Sequence, residues 1–321
     1  MRIVKQGRTV AALTGILLCA AIADNSTMQV HRDLYTGQIV ITEGDAPVLN
    51  YNYQFVCPTP EYLASVAQGN KRYARARSNY IHPLYGPNGE ELTYDWSKDH
   101  PHHRGIYWAW PEVDWRGQRG DLHALQHVYA RPTGNITLKN EGACARVEAE
   151  NRWYWEGETP IVREVTTICA HQAGEHGRYI DLTFSMEALA DDVALARRGT
   201  NLYGGLNIRM SPIKDMHLIH HVDPAGTFKR RAWNDSLGIR QGGTDSVGFA
   251  VLEKTTNPDY PGDWIEYPDL PWFQPAFPAH DTRYVLKQGD PLVLKYRLWI
   301  RPAKETSEAQ YEQQWRIYND N

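Results

Sequence analysis

Residues 292–300 read Leu-Val-Leu-Lys-Tyr-Arg-Leu-Trp-Ile. Leu292, Leu294, Tyr296, Leu298 and Ile300 fall on one side of this run, and Lys295 and Arg297 fall on the other. A helix would scatter these apolar groups around its axis, whereas a strand sends alternate side chains to opposite faces. The pattern therefore predicts a strand with one buried face. The same alternation recurs along the chain. "ACARVEAENRWYWEG" and "PIVREVTTICA" follow each other across a short Gly/Glu turn, and "GRYIDLTFSMEAL" comes next. "RYVLKQGDPLVLKYRLWI" reads as two strands joined at Gln288-Gly289-Asp290.

Gly and Pro interrupt the chain at short intervals, which favours antiparallel strands over a parallel sheet with crossover helices. The expectation is an all-β fold, a large antiparallel β-sandwich of supersandwich or jelly-roll type. One helix is predicted, at the C-terminus. Ser307 and Gln310 have the spacing of a capping box, and Tyr311, Trp315 and Tyr318 form one stripe at i, i+4 and i+7. No repeat or linker divides residues 24–321, so a single catalytic domain is expected there.

Residues 1–23 read as a secretory signal peptide. Arg2, Lys5 and Arg8 precede the apolar run, which ends at Ala21-Ile22-Ala23, a small-x-small cleavage pattern. The expected location is periplasmic or secreted. The rest of the chain lacks an apolar run of about 20 residues, so no membrane span is expected. Cleavage leaves Cys57, Cys144 and Cys169, which permit one disulfide and a free thiol or no disulfide. The formal net charge is -4 and no basic stripe stands out, which excludes nucleic acid as an expected partner. There are 11 Trp and 19 Tyr against 6 Phe. Flat apolar faces with polar edges suit sugar rings, and they also suit the core of a β-sandwich.

The densest chemistry lies in "SKDHPHHRGIYWAW", residues 97–110. His100 and His102 share a face if extended, while Pro101 removes a ladder hydrogen bond and places the segment at an edge or in a loop. His123 and His127 lie four apart, so their rings are expected to converge on either a helix or a strand. Adjacent imidazoles repel when protonated and are costly to bury unpaired, so the cluster is read as functional. His102 and His103 are the candidate proton-transfer groups, with Arg104 on a substrate carboxylate. His100, His123 and His127 are the candidate ligands of a divalent metal, with Asp99, Glu112, Asp114 and Asp121 as further donors. Histidine equally serves as acid, base or hydrogen-bond donor to a sugar. No organic cofactor is expected.

Further along, "NLYGGLNIRM" puts Tyr203, Asn207 and Arg209 on one strand face, with Gly204 and Gly205 allowing close backbone approach. Tyr203 is a candidate acid or base. Asn207 and Arg209 are candidate substrate-binding residues, since Arg can hold a carboxylate bidentately. Trp110, Trp233 and Trp272 are candidate sugar platforms. His217, His220 and His221 in "HLIHHVDP" can join the histidine cluster or lie on a loop.

The block "SNYIHPLYGPNGEELTYDWSKDHPHHRGIYWAW" resembles the core signature of the PmoA-like family of exported bacterial proteins. "YGGLNIRM", "RRAWNDSLG" and "LKQGDPLVLKYRLWI" are similar to its later blocks, so the resemblance runs from about Gly37 to Trp299. The family name points to a methane oxygenase subunit, but a membrane subunit needs several apolar spans that this chain lacks. The resemblance implies instead an ulvan-oligosaccharide dehydratase acting on an acidic oligosaccharide. Such an enzyme removes water from the non-reducing-end uronic acid and leaves a 4,5-unsaturated sugar. A glycoside hydrolase, a non-catalytic sugar-binding protein and a sugar epimerase or mutarotase are the competing readings. The first needs two facing carboxyl groups.

Overall fold

The computed structural model describes residues 27–220, 231–267, 270–302 and 305–320. The signal-peptide segment 1–23 and His221 lie outside the described residues. The fold is an all-β sandwich. Its first sheet orders the strands Met28–Asp33, Gln38–Glu43, Ala46–Asn52, Tyr80–Leu84, Ile106–Ala109, Gly205–Arg209, Trp272–Ala276 and Asp263–Tyr267. The second orders Ile213–His220, Trp233–Arg240, Ser246–Glu253, Leu292–Pro302, Arg178–Ala188, Thr159–His171, Cys144–Trp155 and Val128–Asn140. A small third sheet joins Tyr284–Val285, Ala194–Ala196, Glu112–Trp115 and Gln118–Gly120.

Alternation decides which side chains fill the core. Ile106, Trp108, Leu206, Ile208 and Phe273 of the first sheet are buried in one cluster with Ile168, Leu182, Phe184, Phe249 and Leu298 of the second. Trp108 meets Phe184 with ring centroids 4.2 Å apart, and Phe249 meets Phe273 at 6.1 Å. Fully burying one such side chain contributes about 1.5–3 kcal/mol. Within this core the Glu164 side chain accepts from Trp108 Nε1 at 2.6 Å, Trp153 Nε1 at 2.5 Å, Asn79 Nδ2 at 2.7 Å and Thr166 Oγ1 at 2.9 Å. A buried carboxylate persists only where its lone pairs are satisfied in this way.

The hairpin expected around Gln288-Gly289-Asp290 does not form. Tyr284–Val285 pairs with Ala194–Ala196, because Leu292–Pro302 already has Arg178–Ala188 on one edge and Ser246–Glu253 on the other. The C-terminal helix spans Glu308–Asp320 and carries the expected capping box. Ser307 N donates to Gln310 Oε1 at 2.8 Å, and Gln310 N donates to Ser307 Oγ at 3.3 Å. Tyr311 and Tyr318 are buried against Trp233 and Trp299 in a second apolar cluster. Cys144 and Cys169 form a disulfide between neighbouring strands, and Cys57 is free and exposed.

Candidate functional site

The strands Ile106–Ala109, Gly205–Arg209 and Trp272–Ala276 lie side by side, with Asn207 opposite Tyr107 and Arg209 opposite Trp272. Strand alternation sends Ile106, Trp108, Leu206 and Ile208 to one face and Tyr107, Asn207 and Arg209 to the other, and the Tyr107 ring on that second face is buried as well. Two loops cover that polar face. One carries Asp95 to Gly105. The other is the turn from Asp121 to His127, closed by reciprocal backbone hydrogen bonds between Asp121 and Gln126.

These loops bring together residues far apart in sequence. The His102 ring lies 4.6 Å from His103 and 5.0 Å from His123, and His103 lies 5.5 Å from His123, centroid to centroid. One ligand atom from each of the three falls within 4.8 Å of the others. Tyr107 Oη sits 2.9 Å from His123 Nε2. Arg77 donates to the carbonyls of Leu122 and His123 at 2.9 and 2.6 Å, which fixes the turn. Burial pushes His102 down to about 3, and the neighbouring His100 and Arg77 act in the same direction. Burial also holds His103 and His123 well below the usual imidazole range. All three rings are therefore neutral.

His102 and His103 open onto a cleft of about 410 Å³ that is also lined by Asn70, Tyr73, Asp99, His100, Tyr203, Tyr267, Leu270 and Trp272. The walls are aromatic: Trp272 stacks on His103 at 5.1 Å and on Tyr267 at 5.0 Å, and it meets Tyr203 edge-on at 5.7 Å. Asp99 links the cleft to the sheet. It lies 2.9 Å from His100 Nδ1 and 3.1 Å from Arg209 Nη2. Burial alone would raise the Asp99 carboxyl, but the hydrogen bond with His100 and the Arg209 charge outweigh it and hold it at about 2. Burial raises the Tyr203 hydroxyl, with the Arg198 charge opposing.

Several expected site residues lie elsewhere. Arg104 is fully buried, ion-paired with Asp95 through Nε, donating to Tyr80 Oη at 2.5 Å and set over the Trp96 ring at 3.5 Å. It does not line the cleft. His127 faces solvent, with Nδ1 2.5 Å from Glu156 Oε1 and its ring stacked on Trp155. The converging pair expected from the four-residue spacing fails because Leu125 and His127 both take positive φ, at 57° and 64°, so neither helical nor strand periodicity applies. His100 stacks on His103 at 4.6 Å but is not one of the three converging donors. Trp110 is a core residue, donating to the Phe277 carbonyl at 2.8 Å and packing on Trp153. Trp233 packs under the C-terminal helix against Tyr311 and Trp315. Arg209 lies beneath the cleft floor rather than on it, and Asn207 is buried there with it, its Nδ2 donating to the Gly205 carbonyl at 2.8 Å. His220 lies 3.9 Å from Glu266 in the second sheet's edge region.

Tyr107, Arg77, Tyr73 and Tyr267 were not singled out from sequence. Pairing the strand "NLYGGLNIRM" with "GIYWAW" in register would have found Tyr107 opposite Asn207. Arg77, within "ARARSN", carries no local signal of its role. Cys144, Cys169 and His171 also cluster, but the two sulfurs are bonded to each other and so are not thiolate ligands.

Residues 38–316 match a protein family described as a family of unknown function, DUF6807. No curated protein matches the sequence. Among solved structures, a putative kojibiose phosphorylase from human microbiome shares 6% identity at a TM-score of 0.37, over 93% of this chain and 36% of its own length. A galactose mutarotase related enzyme from Lactobacillus acidophilus shares 8% identity at 0.33, over 88% and 98%. A polysaccharide lyase shares 13% identity at 0.25, over 88% and 33%. The chain thus spans about a third of the length of the first and third of these proteins.

Proposed function

The chain belongs to DUF6807, a family of unknown function, so its activity has to be argued from its own site, and we propose that this site eliminates water from the terminal uronic acid of an acidic oligosaccharide. The observation that carries the reading is the Asp99–His100 pair lying in the same aromatic-walled cleft as the Tyr203 hydroxyl. Asp99 holds His100 through Nδ1, which leaves Nε2 as the proton acceptor, the arrangement that general-base catalysis requires. Tyr73, Tyr267 and Trp272 supply faces on which a pyranose ring can lie.

The reaction balances with these groups. His100 Nε2 takes the proton from C5, and the C5–H electron pair becomes the C4–C5 double bond. The C4–O bond breaks, and Tyr203 gives its proton to the departing hydroxyl, which leaves as water. The 4,5-unsaturated uronate that results is the product implied by the resemblance to PmoA-like exported proteins. Export through residues 1–23 belongs to the same proposal. The Cys144–Cys169 disulfide supports it, since such bonds persist in oxidising compartments.

Hydrolysis is favoured less. It needs two carboxyl groups about the scissile bond, and among the described residues lining the cleft Asp99 is the one carboxylate. The test is incubation of the purified protein with uronate-terminated oligosaccharides, read by mass spectrometry and ultraviolet absorbance. Loss of one water with a new absorbance supports elimination. Gain of water means hydrolysis, an isomer of unchanged mass means epimerisation, and tight binding without turnover means a sugar-binding protein. Each of these three outcomes overturns the proposal.

A further inference from the structure

Elimination next to a carboxylate needs that carboxylate neutralised, and neither expected arginine is placed to do so. Arg104 is committed to Asp95, and Arg209 lies beneath the floor with Nη2 on Asp99. From this gap in the proposed function, and from the geometry beside it, we infer that His102, His103 and His123 together hold one divalent transition-metal ion of the zinc type, with an open coordination position facing the cleft.

The three rings are built for convergence rather than stacking. Their mutual interplanar angles are 78°, 63° and 89°, so no two of them stack face to face, and one donor atom from each falls within 4.8 Å of the others. Nδ1 of His102 and Nδ1 of His103 are both buried and have no hydrogen-bond partner. Buried polar atoms are almost always satisfied, so two orphaned ring nitrogens on residues whose donors converge indicate a missing ligand. Imidazole donors without thiolate or carboxylate suit zinc, copper, nickel or iron, and three protein ligands plus one free position is the pattern of a catalytic zinc centre. The support around the rings also fits. Tyr107 holds the His123 ring through Nε2, and Arg77 fixes the backbone of the same residue, as outer partners of metal ligands do.

The charge balance identifies what the open position takes. Three neutral ligands leave the ion's full charge in place, and the cleft's carboxylate, Asp99, is already paired with Arg209. An anion is therefore demanded on the cleft side, and the carboxylate of a uronic acid meets that demand. Metal and carboxylate should then bind with positive coupling, each tightening the other.

Cobalt(II) titrated into chelator-treated protein tests the inference without any substrate. The expected result is one equivalent bound with the intense visible bands of tetrahedral cobalt, and X-ray absorption of the zinc-loaded protein showing imidazole nitrogens and no sulfur. His102→Ala and His123→Ala should each weaken binding by more than about 10-fold, with far-ultraviolet dichroism confirming the fold, while His127→Ala binds as the parent does. Lack of a saturable equivalent, sulfur ligation, or undiminished affinity in both folded variants overturns the inference. The X-ray spectrum of the unmutated protein keeps the test decisive if the variants do not fold. If cobalt binds as expected but uronates are not dehydrated, the metal site stands and the proposed reaction falls. If dehydration occurs at full rate in metal-free protein, the reaction stands and the metal's part in it falls.

Discussion

Asp99 Oδ2 lies 2.9 Å from His100 Nδ1, and the same carboxylate reaches Arg209 at 3.1 Å. One side chain thus orients the proposed base and ties it to the sheet below. Asp99→Asn keeps the shape and removes the charge that fixes the imidazole. The dehydration rate should fall by about 100-fold, with some loss of melting temperature as well, because the buried Arg209 loses its charge partner although Asp99 itself is half exposed. If His100 and Asp99 act as a unit, Asp99→Asn in a His100→Ala background should cost almost nothing more. Fully additive losses in this double-mutant cycle would show that Asp99 acts independently of His100.

Tyr267 stacks on Trp272 in the cleft wall and is not one of the three converging donors. Its removal should therefore affect sugar affinity and leave the chemical step alone. Tyr267→Ala is expected to cost about 1 kcal/mol of binding, or roughly fivefold in KM, with kcat unchanged. Steady-state kinetics on a uronate-terminated oligosaccharide distinguishes this from a loss in kcat, which would place Tyr267 in the chemistry.

What the sequence revealed and what it hid have distinct physical causes. Strand periodicity is a local property, so Leu292–Pro302 and the Cys144–Trp155/Thr159–His171 hairpin were readable from alternation alone. The Ser307/Gln310 cap was equally local. Strand partnership is not local, which is why the hairpin drawn at Gln288-Gly289-Asp290 gives way to pairing with Ala194–Ala196. The site behaves in the same way. His102, His103 and Tyr203 could be picked out as polar, chemically capable residues in a cluster or on a strand. The exchange of His127 and His100 for His102 and His103 among the converging donors depends on two positive-φ residues in one turn and on the loop that folds His103 under Trp272. The burial of Arg104 was hidden for a related reason. Its partner Asp95 is nine residues away across an irregular loop, and no period connects them.

Arg104 and Asp95 form a buried ion pair that Tyr80 and Trp96 complete. Removing one member of such a pair leaves an uncompensated charge in the interior. Arg104→Ala should therefore destabilise the fold by about 3–5 kcal/mol, whereas the exposed His127→Ala should stay within about 0.5 kcal/mol of the parent. Urea midpoints measure both. An Arg104→Ala protein of parental stability but without activity would return this residue to the catalytic list.

Glu253 provides a pH dependence remote from the histidines. It is buried at the end of Ser246–Glu253, where burial pushes its carboxyl up to about 7 against the hydrogen bonds from Gly262 N–H and Asn257. Asp263 and Asp259 nearby push it in the same direction. The folded protein keeps this proton up to about pH 7, while the unfolded chain loses it near its ordinary 4.5. Between those values the native state binds more protons than the unfolded state, so this group's contribution to stability falls as pH rises and is fully unfavourable above the folded value. The cost at alkaline pH is on the order of 3 kcal/mol. Glu253→Gln removes the ionisation and keeps an acceptor for Gly262 N–H. The variant should match the parent in denaturant midpoint at about pH 4 and exceed it at about pH 8, by a margin that grows across the interval. Parallel stability curves for the two proteins over that range would show that Glu253 ionises in the folded state as freely as in the unfolded chain.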